Sequence, residues 1–89
     1  MELRDLRCFI FVYDAKSFCR AAEALNTTQS NVSARIRKLE REFDGPLFVR
    51  LHRRIAPTAK GDIAYRYAKD VIERADKCTK AVRATDKAA

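Results

Sequence analysis

Eighty-nine residues make one domain with a single modest core, burying roughly 60–65% of the surface the unfolded chain exposes. The chain is 47% hydrophobic and 35% charged with two glycines and two prolines, which suits a soluble helical fold with few tight turns. A net charge of +7 points to an anionic partner, and no apolar run approaches the ~18–20 residues that would cross a membrane.

The N-terminal stretch MELRDLRCFIFVYDAKSF has an apolar centre of about six residues between charges and no small-residue cleavage site, so no secretory leader is expected. Leu3, Leu6, Phe9, Ile10 and Tyr13 recur at three and four, predicting a first helix over about Glu2 to Lys16. Ser17 is a natural cap for a second helix, whose stripe is Phe18, Ala21, Ala22 and Leu25. Its two alanines let another helix approach closely. Asn26 suits a left-handed reversal, and Thr27 or Thr28 can cap the next helix. Helix, a turn of about three residues, then helix is the helix-turn-helix spacing.

The third helix buries Val32, Ile36, Leu39 and Phe43, which fall within about 60° of one another at 100° per residue. Ser30, Ser33, Ala34, Arg37 and Arg41 lie on the far side, with Gln29 on the shoulder. Gln reads adenine through a bidentate amide pair, and Ser can donate or accept at any base edge. The helix start adds free N–H groups for a phosphate. Capping and surface roles would explain these side chains one by one, but not their place after a helix-turn.

Gly45 and Pro46 stop that helix. Leu47-Phe48-Val49 and Ile55-Ala56 flank the basic tip Arg50-Leu51-His52-Arg53-Arg54, which predicts a small hairpin. Four Lys/Arg and no acid lie between Gly45 and Gly61. Such a tip tracks phosphates or enters a minor groove, solubility being the plainer reading of one charged loop. From Ala59 to about Ala84 the chain is helix-permissive. Ala64, Ala68, Val71, Ala75, Cys78 and Val82 step by 4, 3, 4, 3, 4, the seam of a supercoiled helix pair. Ile63, Tyr67 and Ile72 widen it where it could also meet the core. A second copy of the chain is the economical partner for this seam; packing on its own domain alone is the other reading.

These residues carry a family resemblance. LRDLRCFIFVYDAKSFCRAAEALNTTQSNVSARIRKLEREFDGPLFVR resembles the N-terminal signature of LysR-type bacterial transcriptional regulators. The matching points are Ser17-Phe18, Ala21-Ala22, Leu25, Gln29-Ser30, Val32-Ser33, Ile36, Leu39-Glu40, Leu47-Phe48, Arg50, Thr58 and Gly61. The resemblance implies a mainly α winged helix-turn-helix fold: a three-helix core, a short β-hairpin wing and a long dimerisation helix. Residues 1–58 would form the DNA-binding domain, and 59–89 the linker helix with a C-terminal tail. It implies a homodimer on an interrupted inverted repeat of double-stranded DNA, with antiparallel linker helices. Base contacts are expected from Gln29, Ser30 and Ser33, and a wing contact in the minor groove from Arg53 with Arg54 and His52. The family often has arginine where this chain has Ala34, so Arg37 replaces it as the fourth base contact. Ser17, Thr27, Thr28, Asn31, Arg35 and Arg50 are expected on the DNA backbone. Asp44 stands where the family usually has glycine, with Gly45 one place later, which suggests a shifted helix exit. His52 and Pro57 stand at a common wing-tip glycine and a common leucine. The family's effector-binding domain lies beyond this chain, so a small-molecule effector would act only through that missing part.

An enzyme would need a nucleophile–base pair or metal ligands. His52 is the only histidine, and no HExxH, GxSxG or P-loop is present, so no cofactor or metal is expected. Cys8, Cys19 and Cys78 are odd in number without C-x-x-C spacing and read as small core or seam residues, with a reducing cytoplasm as the default compartment. A basic helical adaptor for an acidic protein or anionic membrane fits the charge and the long helix. It leaves Gln29, Ser30 and Ser33 opposite a buried stripe unexplained. The aromatics fall on apolar stripes, which disfavours RNA stacking.

Overall fold

In the computed structural model, which describes residues 1–85, four helices and one hairpin follow in the order α1 (Leu3–Ala15), α2 (Phe18–Ala24), α3 (Gln29–Glu42), β1 (Phe48–Leu51), β2 (Arg54–Pro57) and α4 (Ala59–Thr85). Of the C-terminal tail expected after about Ala84, residues 86–89 lie outside the described residues. Local chemistry explains most of the boundaries. Glu2 and Asp5 form a reciprocal capping box at the start of α1. The Ser17 hydroxyl accepts from the Arg20 N–H at 3.1 Å, as expected, and of the two candidates at the start of α3 it is Thr28 that caps, accepting from Asn31 N–H at 3.1 Å. The end of α2 is a Schellman turn. Asn26 takes φ 55°, Thr27 N–H donates to Ala22 C=O at 2.9 Å and Asn26 N–H to Glu23 C=O at 3.1 Å.

The end of α3 corrects the expected shift. Asp44, not Gly45, takes the left-handed conformation, at φ 59°. Gly45 N–H donates to Glu40 C=O at 3.0 Å, closing the same six-to-one ring. Lys60 reaches back from α4 and donates to the Phe43 C=O at 3.1 Å and to the Asp44 C=O, satisfying carbonyls that the helix end leaves free. Gly61 is required by close approach: a Cβ there would stand 2.2 Å from the Leu47 carbonyl oxygen. The Thr58 hydroxyl locks this corner by donating to Pro46 C=O at 2.7 Å and accepting from Gly61 N–H at 3.0 Å.

The core gathers one stripe from each element: Leu6, Phe9 and Val12 of α1, Ala21 and Ala22 of α2, Val32, Ile36 and Leu39 of α3, then Leu47, Ile55 and Ala68. Phe9 is fully buried beside the Phe48 ring, with centroids 5.5 Å apart. Truncating such a residue costs about 3–5 kcal/mol. One charged side chain is also buried. Asp5 retains 2% exposure, accepts from Glu2 N–H at 3.2 Å and meets the Lys38 ammonium of α3 at 3.1 Å. Burial pushes its carboxyl up, but Lys38, the Glu2 N–H and Arg4 outweigh that, and the pKa falls below the ordinary value.

The root of α4 is fastened to α1 by a reciprocal pair. Tyr13 OH donates to Asp62 at 2.7 Å, and Tyr65 OH donates to Asp14 at 2.7 Å. The two rings stack with centroids 3.8 Å apart and planes 14° from parallel. The Asp14 bond pushes the Tyr65 phenol up to about 12, and Asp62 raises that of Tyr13.

Candidate nucleic-acid interface

The face of α3 opposite its buried stripe is open. Gln29, Ser30 and Arg37 are exposed and Ser33 is half-buried, and these four line one shallow concavity. The helical period alone brings them together: α3 spends Val32, Ile36 and Leu39 on the core, so positions 29, 30, 33 and 37 are turned out. A second concavity lies between α3 and the hairpin, bordered by Ser33, Arg37, Glu40, Phe18, Arg50 and Ile55. Ser33 and Arg37 line both, so the helix face runs continuously into the wing.

The wing is hung from α3. The Glu40 carboxylate accepts from Leu47 N–H at 2.8 Å, which ties the loop after α3 to the helix before β1 enters. Glu40 entered the sequence reading only as a matching position; this bond spans seven residues and follows no regular period. β1 and β2 pair antiparallel, with Arg50 opposite Ile55 and Leu51 opposite Arg54. Directly opposed side chains share a face. Arg50 therefore shares the face of the buried Ile55 but stays exposed at its edge, its guanidinium 5.8 Å from the Phe18 ring centroid. Arg54 shares the outward face of Leu51. His52 turns the chain at φ 56° without a glycine, and Arg53 is exposed beside it at the tip.

The residues at the start of α3 are bonded among themselves. The Asn31 side chain donates to the Thr27 hydroxyl at 3.0 Å while Thr28 caps Asn31. Each hydroxyl oxygen accepts one bond here and still carries a proton that it can donate. Ser17 caps α2. Arg35 falls on the other flank of α3, towards α1, where Lys38 pairs with Asp5 and with Glu2 at 3.1 Å. It does not join the concavity at Gln29.

The seam expected along α4 divides in two. Ala68 keeps only 3% exposure inside the chain's own core and Ala64 packs against it, while both also border the apolar groove beside Ile63 and Tyr67, so this end of the seam meets its own domain and reaches the groove. Ile72 also packs on the core, whereas Ile63 and Tyr67 turn outward. Ile63, Tyr67 and Val71 are 49%, 66% and 40% exposed, and with Met1, Leu6 and Phe43 they line an apolar groove of about 360 Å³. Ala75 is half-buried, and Cys78 and Val82 are exposed farther along the helix. No helix among the described residues is long and apolar enough to cross a membrane.

A capped helix-turn-helix with an open third helix, a basic hairpin beside it and a long helix behind define a winged helix-turn-helix DNA-binding domain. Residues 3–62 match the family model for bacterial regulatory helix-turn-helix proteins of the lysR family. The chain belongs to that family, and it is a transcription-regulator domain rather than an enzyme. It is 45% identical over 76 residues to the Hca operon transcriptional activator HcaR of Escherichia coli (strain K12). That match covers 85% of this chain and 26% of HcaR, so the chain spans about a quarter of the length of the curated relatives it matches. Among solved structures, a BenM DNA-binding domain in complex with catB site 1 DNA superposes with a TM-score of 0.90 at 33% identity, covering 96% of this chain and 94% of that one. A CbnR DNA-binding domain–DNA complex gives a TM-score of 0.90 at 32% identity, covering 96% and 98%.

Proposed function

We propose that this domain reads double-stranded DNA as a homodimer on an interrupted inverted repeat. In this reading α3 enters the major groove, with Gln29, Ser30, Ser33 and Arg37 at base edges. Ser17, Thr27, Thr28, Asn31, Arg35 and Arg50 hold the DNA backbone, and Arg53, with His52 and Arg54, reaches the adjacent minor groove. Residues 1–58 carry the DNA surface, and α4 carries the dimer surface along Val71, Ala75, Cys78 and Val82. The exposed Ile63 and Tyr67 extend that surface to the groove beside Met1 and Phe43. A small-molecule effector would act through a separate C-terminal domain, and the compartment is the cytoplasm.

The observation that carries this reading is the shared concavity of Gln29, Ser30, Ser33 and Arg37, opposite a fully committed core face and continuous with a basic wing. Selection of a random duplex pool by the purified chain, at moderate salt with excess competitor DNA, tests it. Enrichment of an inverted repeat is the expected result. Salt-sensitive binding with no enriched sequence would overturn the base-reading assignment.

A further inference from the structure

We propose that the Tyr13–Tyr65 clasp is the positioning element that sets the angle between the DNA-reading body and α4, and thereby the half-site separation that a dimer accepts. The inference rests on the dimer reading above. Lys60 and Gly61 pin the first turn of α4 to the loop after α3, and farther along, its contacts with the core are apolar: Ala64, Ala68 and Ile72. Apolar packing of small side chains restricts the crossing angle only to within about 15–20°, which leaves the finer setting of the tilt to directional bonds. The clasp is directional. Adjacent α1 residues, Tyr13 and Asp14, meet Asp62 and Tyr65 of α4, and each helix supplies one donor and one acceptor at 2.7 Å.

The stacked rings between these bonds resist a change in tilt, because their planes are only 14° apart. Lys16 lies 5.3 Å from the Tyr13 centroid and Lys69 lies 5.8 Å from that of Tyr65, adding a cation to each ring. The remaining polar tie from α1 to α4 is Arg7–Asp76 at 3.2 Å, with side chains 46% and 53% exposed. An exposed pair of that kind is weak and screened; the clasp bonds are exposed too, and what sets them apart is that the stacked rings hold both in one geometry. The geometry amplifies small errors. Across a molecule 26 Å broad, a turn of roughly 10° moves the far side by roughly 4–5 Å, more than one base-pair step of about 3.4 Å.

The test uses the half-site recovered by the wild-type chain from the random pool. Affinity is measured on a single half-site duplex and on duplexes whose two half-sites are moved apart one base pair at a time. The double variant Tyr13→Phe, Tyr65→Phe keeps the stack and removes both hydroxyl donors. Half-site affinity is expected to stay within about twofold, while preference for the best separation over its neighbours falls at least about fivefold, the net weight of one hydrogen bond. Should the double variant melt too low to assay, Tyr65→Phe alone leaves the Tyr13–Asp62 bond and is expected to broaden the profile less. A separation profile matching wild type overturns the inference. So does a uniform loss on every duplex including the half-site, which would mark the clasp as ordinary fold stability. If the wild-type chain itself shows no repeat preference, the dimer reading fails, and this inference with it.

Discussion

Asp44→Gly isolates the backbone at the end of α3. Asp44 stands at φ 59°, and the Gly45 N–H to Glu40 C=O bond at 3.0 Å requires that conformation. A left-handed backbone costs about 1–2 kcal/mol for an ordinary L-residue, and less for Asp or Asn. A carboxylate beside the negative end of a helix adds about 0.3–1 kcal/mol. Against this, glycine brings about 0.5–1 kcal/mol of extra chain entropy to the unfolded state. The Asp44 carbonyl, not its carboxylate, accepts from Lys60, so glycine keeps that bond. The balance is a stabilisation of about 1 kcal/mol, or roughly 4–8 °C in Tm for a domain of this size. Thermal melts at one fixed protein concentration measure it, because self-association would make Tm depend on concentration. Gly45→Ala is the companion: Gly45 has no positive φ, but an added Cβ would stand 2.9 Å from the Lys60 ammonium that bonds the α3 carbonyls, so a modest loss is expected from displacing it. A lower Tm for Asp44→Gly together with a large loss for Gly45→Ala would place the left-handed residue at 45 and refute the reasoning.

Gly61→Ala should destabilise by about 1–3 kcal/mol in urea titration, because its Cβ meets backbone rather than a movable side chain; an unchanged midpoint would contradict the close approach. On DNA, Gln29→Ala should lose about 1–3 kcal/mol on the selected repeat and little on random duplex, and equal losses would remove Gln29 from base reading. Arg53→Ala should weaken both and lower the salt slope by about one, so an unaltered slope counts against a phosphate role. The pKa of Asp5 is lower folded than unfolded. Its stabilisation is therefore complete above the unfolded value of about 3.9 and is lost as pH falls through the folded one. Urea midpoints between pH 5 and 2 should fall less steeply for Asp5→Asn than for wild type, and parallel profiles would argue against the Lys38 pairing. Val71→Asp should shift sedimentation towards monomer, whereas a dimeric profile would mean that the groove is not the contact.

Local chemistry made much of this fold legible. Ser17 and Thr28 cap as their side chains dictate, and Asn26 reverses the chain as an amide residue can. The convergence of Gln29, Ser30, Ser33 and Arg37 follows from helical arithmetic once the apolar stripe is known. Asp44 is not legible as the left-handed residue because glycine is the ordinary choice for such a site and Gly45 stands next to it. The alternating spacing of Ala64, Ala68 and Val71 marks a packing stripe, but periodicity does not say which helix fills it. The tyrosine clasp spans 49 and 51 residues of sequence, beyond any local pattern, and Glu40 to Leu47 N–H and Lys60 to the α3 carbonyls are equally non-periodic.

Ala68 and Ile72 bear on the birth of the protein as well as its final form. The reading head borrows part of its interior from the arm, so the division between the two is one of duty and not of autonomy. A nascent chain ending at Pro57 would lack Ala68 and Ile72, so its hydrophobic interior would stay unsealed on that side until the first half of α4 is available. The arm that would later join two copies is first needed to complete one.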